Sequence, residues 1–203
     1  MKKIILIGAG GQCVSCIDVI ELEKKYEIFG LIDNKSKKKL FNYKVIGSDK
    51  DLKKISNKIH YAFITLGQIK NFKTREKIYQ KLIKIGFKIP KIISPLSYVS
   101  NKATIGSGTI IMHGAIVNAG AKIGKNCIIN TRALIEHDVT VQDNCHISTG
   151  AIVNGSSTIN KNTFIGSGSI VRQNIVVGKN SFINANIFVD KSIKEKSIIY
   201  EKK

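Results

Sequence analysis

From Ile93 to Val189 every sixth residue is isoleucine or valine, without exception. Four residues further on in each hexad, from Ala103 to Ser169, stands a small or β-branched side chain: Ala115, Ala121, Cys127, Ala133, Cys145, Ala151 and Ser157 are examples. This is the hexapeptide repeat of a parallel β-helix, in which each hexad supplies one short strand and one corner. Three hexads close a triangular coil, so residues 18 apart stack on neighbouring coils at roughly the 4.8 Å spacing of paired strands. Cys127 and Cys145 are 18 apart. They read as small residues stacked inside the coil, not as a metal or disulfide pair.

The first half follows another rhythm. KKIILIGAGG is a buried-strand pattern ending in Gly8, Gly10 and Gly11; a helical run, CVSCIDVIELEKK, follows, and YEIFGLIDNK is a second apolar strand ending at Asp33. Such a βαβ opening lets a glycine turn approach a phosphate, while the acid after the second strand accepts hydrogen bonds from a sugar or base. GAGG followed by Gln is short of a full dinucleotide fingerprint, so it points to nucleotides more than to NAD. A third strand, HYAFITLG, is expected to end at Gly67, with the helix NFKTREKIYQKLIKIG after it. Together these predict a small three-layer Rossmann-like α/β domain over residues 1–91, followed by the β-helix with a short tail over residues 92–203. The CxxC formed by Cys13 and Cys16 lies one turn apart on the first helix with no second pair, and reads as packing.

With 43% hydrophobic residues the chain can bury a substantial core. No run of residues is apolar enough for a membrane span, no signal-peptide pattern opens the sequence, and four scattered cysteines do not make a disulfide scaffold; a cytoplasmic protein is expected. The formal charge of +19 suits a phosphate-bearing ligand. Nucleic acid is not expected, because the lysines are dispersed (Lys37 to Lys39 is the longest run) and no aromatics interleave with them.

The stretch INTRALIEHDVTVQDNCHISTGAIVNG, together with the KKIILIGAGG start, LIDNK and the hexapeptide array, resembles the bacterial acetyltransferases of sugar biosynthesis. That group contains nucleotide-amino-sugar N-acetyltransferases of the bacillosamine, perosamine and legionaminic acid type, and sialic acid O-acetyltransferases. The resemblance implies a left-handed β-helix, a homotrimer, and acetyl-CoA bound between subunits, with no metal. It makes His137 of IEHD the general base, Asp138 the acid that orients it, and Gly155 the residue whose amide faces the thioester oxygen. His146 of NCHIS falls near the thioester, Asn130 faces the acceptor sugar, and Ser167 and Gly168 of IGSGS touch the cofactor. Gly8, Gly10 and Gly11 would hold the diphosphate of the nucleotide sugar, and Asp33 and Asn34 its ribose or base, with Gly67 and Arg75 near the same crevice. Gly155 has support from spacing alone, since it lies 18 residues after His137 and so one coil above it.

The chain departs from the resemblance at its end. KSIIYEKK lacks the family's usual terminal motif, and Asn184, Ala185 and Asn186 replace a glycine-rich stretch. The expected activity is acetyl-CoA-dependent N-acetylation of a nucleotide-linked amino sugar, with a 4-amino-4,6-dideoxyhexose preferred. O-acetylation of a sialic acid is the alternative. Two remoter readings are a zinc-dependent carbonic anhydrase using His113, His137 and His146, whose spacing does not match that class, and a nucleotide-sugar-binding trimer without catalysis.

Overall fold

A computed structural model describes residues 1–35, 39–69 and 71–200. Lys37 and Lys38 of the basic run, and the final EKK, lie outside the described residues. The N-terminal unit is a parallel sheet of β1 (Lys2–Ile7), β2 (Tyr26–Ile32), β3 (Val45–Gly47) and β4 (Tyr61–Ile64), in the order β3-β2-β1-β4. Helices α1 (Gly11–Glu23), α2 (Leu52–Ser56) and α3 (Lys73–Ile85) cover its two faces.

Two expectations need correction. HYAFITLG forms the fourth strand of the sheet, not the third, and it stops at Ile64. The segments Val45–Gly47 and Leu52–Ser56 add an edge strand and a short helix between them. An edge strand of three residues is too short to show a period, so only its pairing with β2, through Leu31 and Ile32, reveals it.

The second half is the left-handed parallel β-helix. Eighteen two-residue strands, from Ile92–Ile93 to Ile198–Ile199, assemble into three stacked sheets. Registers such as Leu134↔Ile152 and His146↔Phe164 place partners 18 residues apart. The last rung is shorter: Phe182 pairs with Ile198, 16 residues on.

In each strand the second residue points inward, and these Ile and Val side chains form one continuous core with the small residues of the corners. Several small residues are hydroxylated for a reason visible in the bonding. Ser157, Thr163 and Ser169 donate to the carbonyls of Arg172, Gly178 and Asn184, at 2.8, 3.1 and 2.7 Å, so corner groups that would otherwise be buried unpaired are satisfied. Cys127 and Cys145 occupy the equivalent positions, with Sγ 3.1 Å from the carbonyls of Gln142 and Asn160. All four cysteines are free and buried, and burial pushes the Cys16 thiol up to about 12, far from thiolate chemistry.

The two units share a joint. Helix α1 buries Cys13, Cys16, Ile17, Val19 and Ile20 between the sheet and the outward residues Ile92, Ile110 and Ile128 of one β-helix face. Arg75 of α3, expected near the nucleotide crevice, lies here instead. It is 1% exposed, and its guanidinium donates to the carbonyls of Ile64 and Leu66 at 2.8 Å each, and to those of Asn126 and Gly108 at 3.4 Å each. His113 adds a second tie, with Nε2 2.8 Å from Asp18 Oδ2 and Nδ1 2.7 Å from Ser94 Oγ.

Candidate active site

Each triangular coil has three corners, and the one after the strand Leu134–Ile135 carries Glu136, His137 and Asp138. Asp138 sits at φ 59°, which swings its carboxylate alongside the preceding imidazole. His137 Nδ1–H donates to Asp138 Oδ2 at 3.0 Å. That bond fixes the tautomer and leaves the Nε2 lone pair free to accept a proton.

Gly155 lies one coil above, at the matching corner. A methyl group on Gly155 would stand 2.6 Å from His137 Nε2, so the ring is seated against the bare backbone. The N–H of Gly155, like that of several equivalent corners, makes no hydrogen bond within the described residues; what distinguishes it is the imidazole of His137 beside it. A base and a free donor thus share the wall of a cleft of about 400 Å³, which Glu136, Asn154, Ser156, Gln173 and Asn174 complete. Sequence reasoning missed these five, because polar corner residues occur all along the repeat.

Gly155→Ala tests this seating. The methyl group displaces the imidazole by about an ångström, so we expect kcat to fall roughly 10- to 100-fold with an unchanged circular-dichroism spectrum. Steady-state kinetics on the variant checks it.

His146 lies elsewhere. It is the outward residue of the strand His146–Ile147, on a different face, and is 4% exposed because the N-terminal unit covers it. Its Nδ1–H donates to the Gln68 carbonyl, and Nε2 lies 3.2 Å from the side-chain amide of Asn130. Asn130, Ser167 and Gly168 occupy the corner column that borders the apolar face from the side opposite His137, and Ser167 Oγ is 2.9 Å from Ser148 Oγ. Rings the sequence did not single out continue from His146: Phe164 stands edge-on to it at 5.1 Å, Phe182 stacks on Phe164 at 5.1 Å, and Tyr200 tilts against Phe182 at 5.8 Å.

Burial pushes the pKa of His146 down to about 4, and the Arg75 charge acts in the same direction, against the pull of the Gln68 carbonyl. The unfolded chain, with an ordinary imidazole near 6.5, therefore takes up the proton first as pH falls. Stability is complete above pH 6.5 and is lost by up to about 3 kcal/mol as pH drops from 6.5 to 4. Denaturant titrations across that window should show this slope, and His146→Gln should flatten it.

The N-terminal crevice sits at the carboxyl ends of β1 and β2. It has a volume of about 500 Å³ and is lined by Gly8, Asp33, Asn34, Lys35, Asp49, Thr74 and Lys77 over an apolar floor that includes Leu66 and Ile78. Gly8 has φ +104°, and a side chain there would run into Leu66, so only glycine fits the turn. Gly10 and Gly11 start α1 with open space around them, so a ligand could approach the helix N-terminus closely. Gly67 packs near Gln12 and does not line the crevice. Asp33 Oδ2 accepts Ala9 N–H at 2.8 Å, bracing the glycine turn, and Oδ1 accepts Lys35 N–H at 2.7 Å, turning the chain after β2. Lys35, Thr74 and Lys77 were not singled out by the sequence, since lysines are dispersed everywhere in it.

Among the described residues no three His, Cys, Asp or Glu side chains converge as a metal-binding set. His113, His137 and His146, the zinc ligands of the rival reading, are spread over two corners and a face.

Comparison with known proteins places the whole arrangement. Residues 3–82 match the PglD N-terminal domain, residues 102–135 and 120–155 the six-repeat bacterial transferase hexapeptide, and residues 158–191 the hexapeptide repeat of succinyl-transferase. The acetyltransferase domain of PglB from Neisseria gonorrhoeae, solved with acetyl coenzyme A, superposes with a TM-score of 0.92 at 28% identity, over 97% of this chain and 95% of that one. The chain shares the two-part build of that domain, a PglD-type N-terminal unit followed by hexapeptide repeats, and is an acetyl-CoA-dependent acetyltransferase. Two further members of this fold are similar. A mutant perosamine N-acetyltransferase from Caulobacter crescentus, solved with CoA and GDP-perosamine, has a TM-score of 0.92 at 22% identity over 98% and 93% of the two chains. WeeI from Acinetobacter baumannii has a TM-score of 0.87 at 22% identity over 99% and 97%. No curated protein sequence matches the chain. Among the described residues no helix of this acetyltransferase is long and apolar enough to cross a membrane.

Proposed function

We propose that this acetyltransferase moves the acetyl group of acetyl-CoA onto the amine of a nucleotide-linked amino sugar, with a 4-amino-4,6-dideoxyhexose as acceptor. The observation that carries the reading is the juxtaposition of His137 Nε2 with the unbonded amide of Gly155. The amine nitrogen attacks the thioester carbonyl carbon while His137 takes its proton, and Gly155 N–H receives the developing oxyanion. The C–S bond then breaks, and the proton passes from the imidazolium to the departing thiolate. Asp138 holds the imidazole in the tautomer that leaves Nε2 basic and steadies the imidazolium.

The nucleotide would lie in the N-terminal crevice, its diphosphate toward Gly8, Gly10 and Gly11 at the start of α1, and its ribose or base beside Asp33 and Asn34. This crevice favours a nucleotide-bearing acceptor over a free nine-carbon acid, although a hydroxyl acceptor would use the same base. Asn130 would face the acceptor sugar.

A homotrimer completes the site in this reading. The outward residues of the face between the two corner columns are apolar: Tyr98 and Phe188 are 59% and 63% exposed, and Ile116, Leu134, Ile152 and Ile170 lie between them. The outward residues of the next face, Thr104, Lys122, Thr140 and Thr158, are mainly polar. Packing copies through the apolar face brings the Asn130, His146, Ser167 and Gly168 side of one subunit toward His137 of another, with acetyl-CoA between them. The rings from Phe164 to Tyr200 offer the cofactor an apolar wall. Four free thiols suit a cytoplasmic setting.

The test is coenzyme A release measured with a thiol reagent across a panel of nucleotide-linked amino sugars and free nonulosonic acids. Turnover restricted to the nucleotide-linked amines supports the reading; turnover with only the free acids favours the O-acetyltransferase alternative.

A further inference from the structure

The crevice wall beyond Asp33 pairs a donor with an acceptor, and this pair speaks to the base, which the proposed function leaves open. Asn34 Oδ1 accepts Asp49 N–H at 3.0 Å. That bond takes one of the two lone pairs of the oxygen and fixes which way the amide is turned, leaving both N–H groups of the Asn34 NH₂ to offer a ligand. The same bond pins the segment after β3 to the end of β2, which sets Asp49 in the crevice wall beside Asn34.

The Asp49 carboxylate is 27% exposed, and the nearest cation, Lys81 Nζ, stands 4.0 Å from Oδ2 while donating to the Asp49 carbonyl at 2.9 Å. No protein N–H or O–H within the described residues hydrogen-bonds the Asp49 carboxylate oxygens. The contrast with Asp51, whose Oδ2 takes both the N–H and the O–H of Ser48, and with Asp33, whose Oδ2 takes Ala9 N–H and Oδ1 takes Lys35 N–H, is direct. Asp49 is thus the acid in this wall with acceptor capacity to spare.

We propose that Asn34 and Asp49 together select a nucleobase that carries a carbonyl next to an imino N–H, as uracil, thymine and guanine do. The Asn34 NH₂ donates to the base carbonyl and the Asp49 carboxylate accepts from the ring N–H; guanine offers its amino N–H to the same carboxylate as well. Cytosine and adenine present the reverse edge, an amino group and a bare ring nitrogen. Against them two donors face each other, and a lone pair faces a carboxylate. The inference rests on the crevice being the nucleotide site. It adds to Asn34 a selecting residue, Asp49, that no local sequence pattern marks.

Isothermal titration of the full-length protein with UDP, dTDP, GDP, CDP and ADP tests it. UDP, dTDP or GDP should bind at least about 10-fold more tightly than CDP and ADP, a ratio set by one or two mismatched hydrogen bonds. Asp49→Asn and Asp49→Ala, with unchanged melting temperatures, should weaken the preferred nucleotide about 10-fold and shrink its advantage over CDP. Equal affinity for UDP, GDP and CDP in the unaltered protein, or a preference that survives both substitutions, overturns the role of Asp49 while leaving the crevice a nucleotide site. Failure of every nucleoside diphosphate to bind overturns the nucleotide reading itself, and this selection with it.

Discussion

His137→Ala lowers kcat by about 10²- to 10⁴-fold, the range that a positioned general base contributes, with little change in the melting temperature. The small stability effect follows from the environment: the imidazole is 62% exposed in the single chain and makes its one side-chain hydrogen bond to an equally exposed neighbour, Asp138. An exposed pair of this kind adds little to folding. The loss should fall on kcat, because the ring meets a reacting proton and, in the proposed mechanism, does not hold the cofactor. Asp138→Asn should cost less, since the base remains and only its tautomer and orientation are loosened. Initial rates of coenzyme A release at saturating substrates check both. A His137→Ala variant that turns over like the unaltered enzyme would remove the assigned base.

Arg75→Met should be the most destabilising single change outside the cores. The guanidinium is fully enclosed, has no carboxylate partner among its hydrogen bonds, and satisfies four backbone carbonyls drawn from both units. Burial pulls its pKa down to about 10, which still leaves it charged at neutral pH. Methionine fills similar space but abandons those carbonyls, so the cost is about 3–5 kcal/mol and the melting temperature falls by roughly 10 °C. Calorimetry checks this. Because Arg75 holds Leu66, which also floors the nucleotide crevice, affinity for a nucleoside diphosphate should weaken in the same variant.

The β-helix was legible because its restraint repeats. Each inward Ile or Val is required by the same corner geometry, so a six-residue period survives any local variation, and the 18-residue coil that follows from it put Gly155 over His137. The glycine turn and Asp33 were legible because strand, turn and acid adjoin in sequence. What escaped was set by contacts between distant segments. His146 is an outward strand residue, which alternation reads as exposed, yet the Gln68 loop folds over it. Arg75 reads as a charge on a helix beside a crevice, and only packing of the two units shows it between them. The strand Val45–Gly47 is too short to carry a pattern, and with it went any sequence signal for Asp49, whose placement depends on Asn34 reaching across from β2.

The most direct measurement is the chemical position of the transferred acetyl group, determined by NMR on the product formed from acetyl-CoA and the best-turned-over acceptor. An amide on the sugar amine, with the nucleoside diphosphate still attached, is the predicted product. An ester on a hydroxyl, or nucleotide-sugar binding with acetyl-CoA left unconsumed, would contradict the assignment.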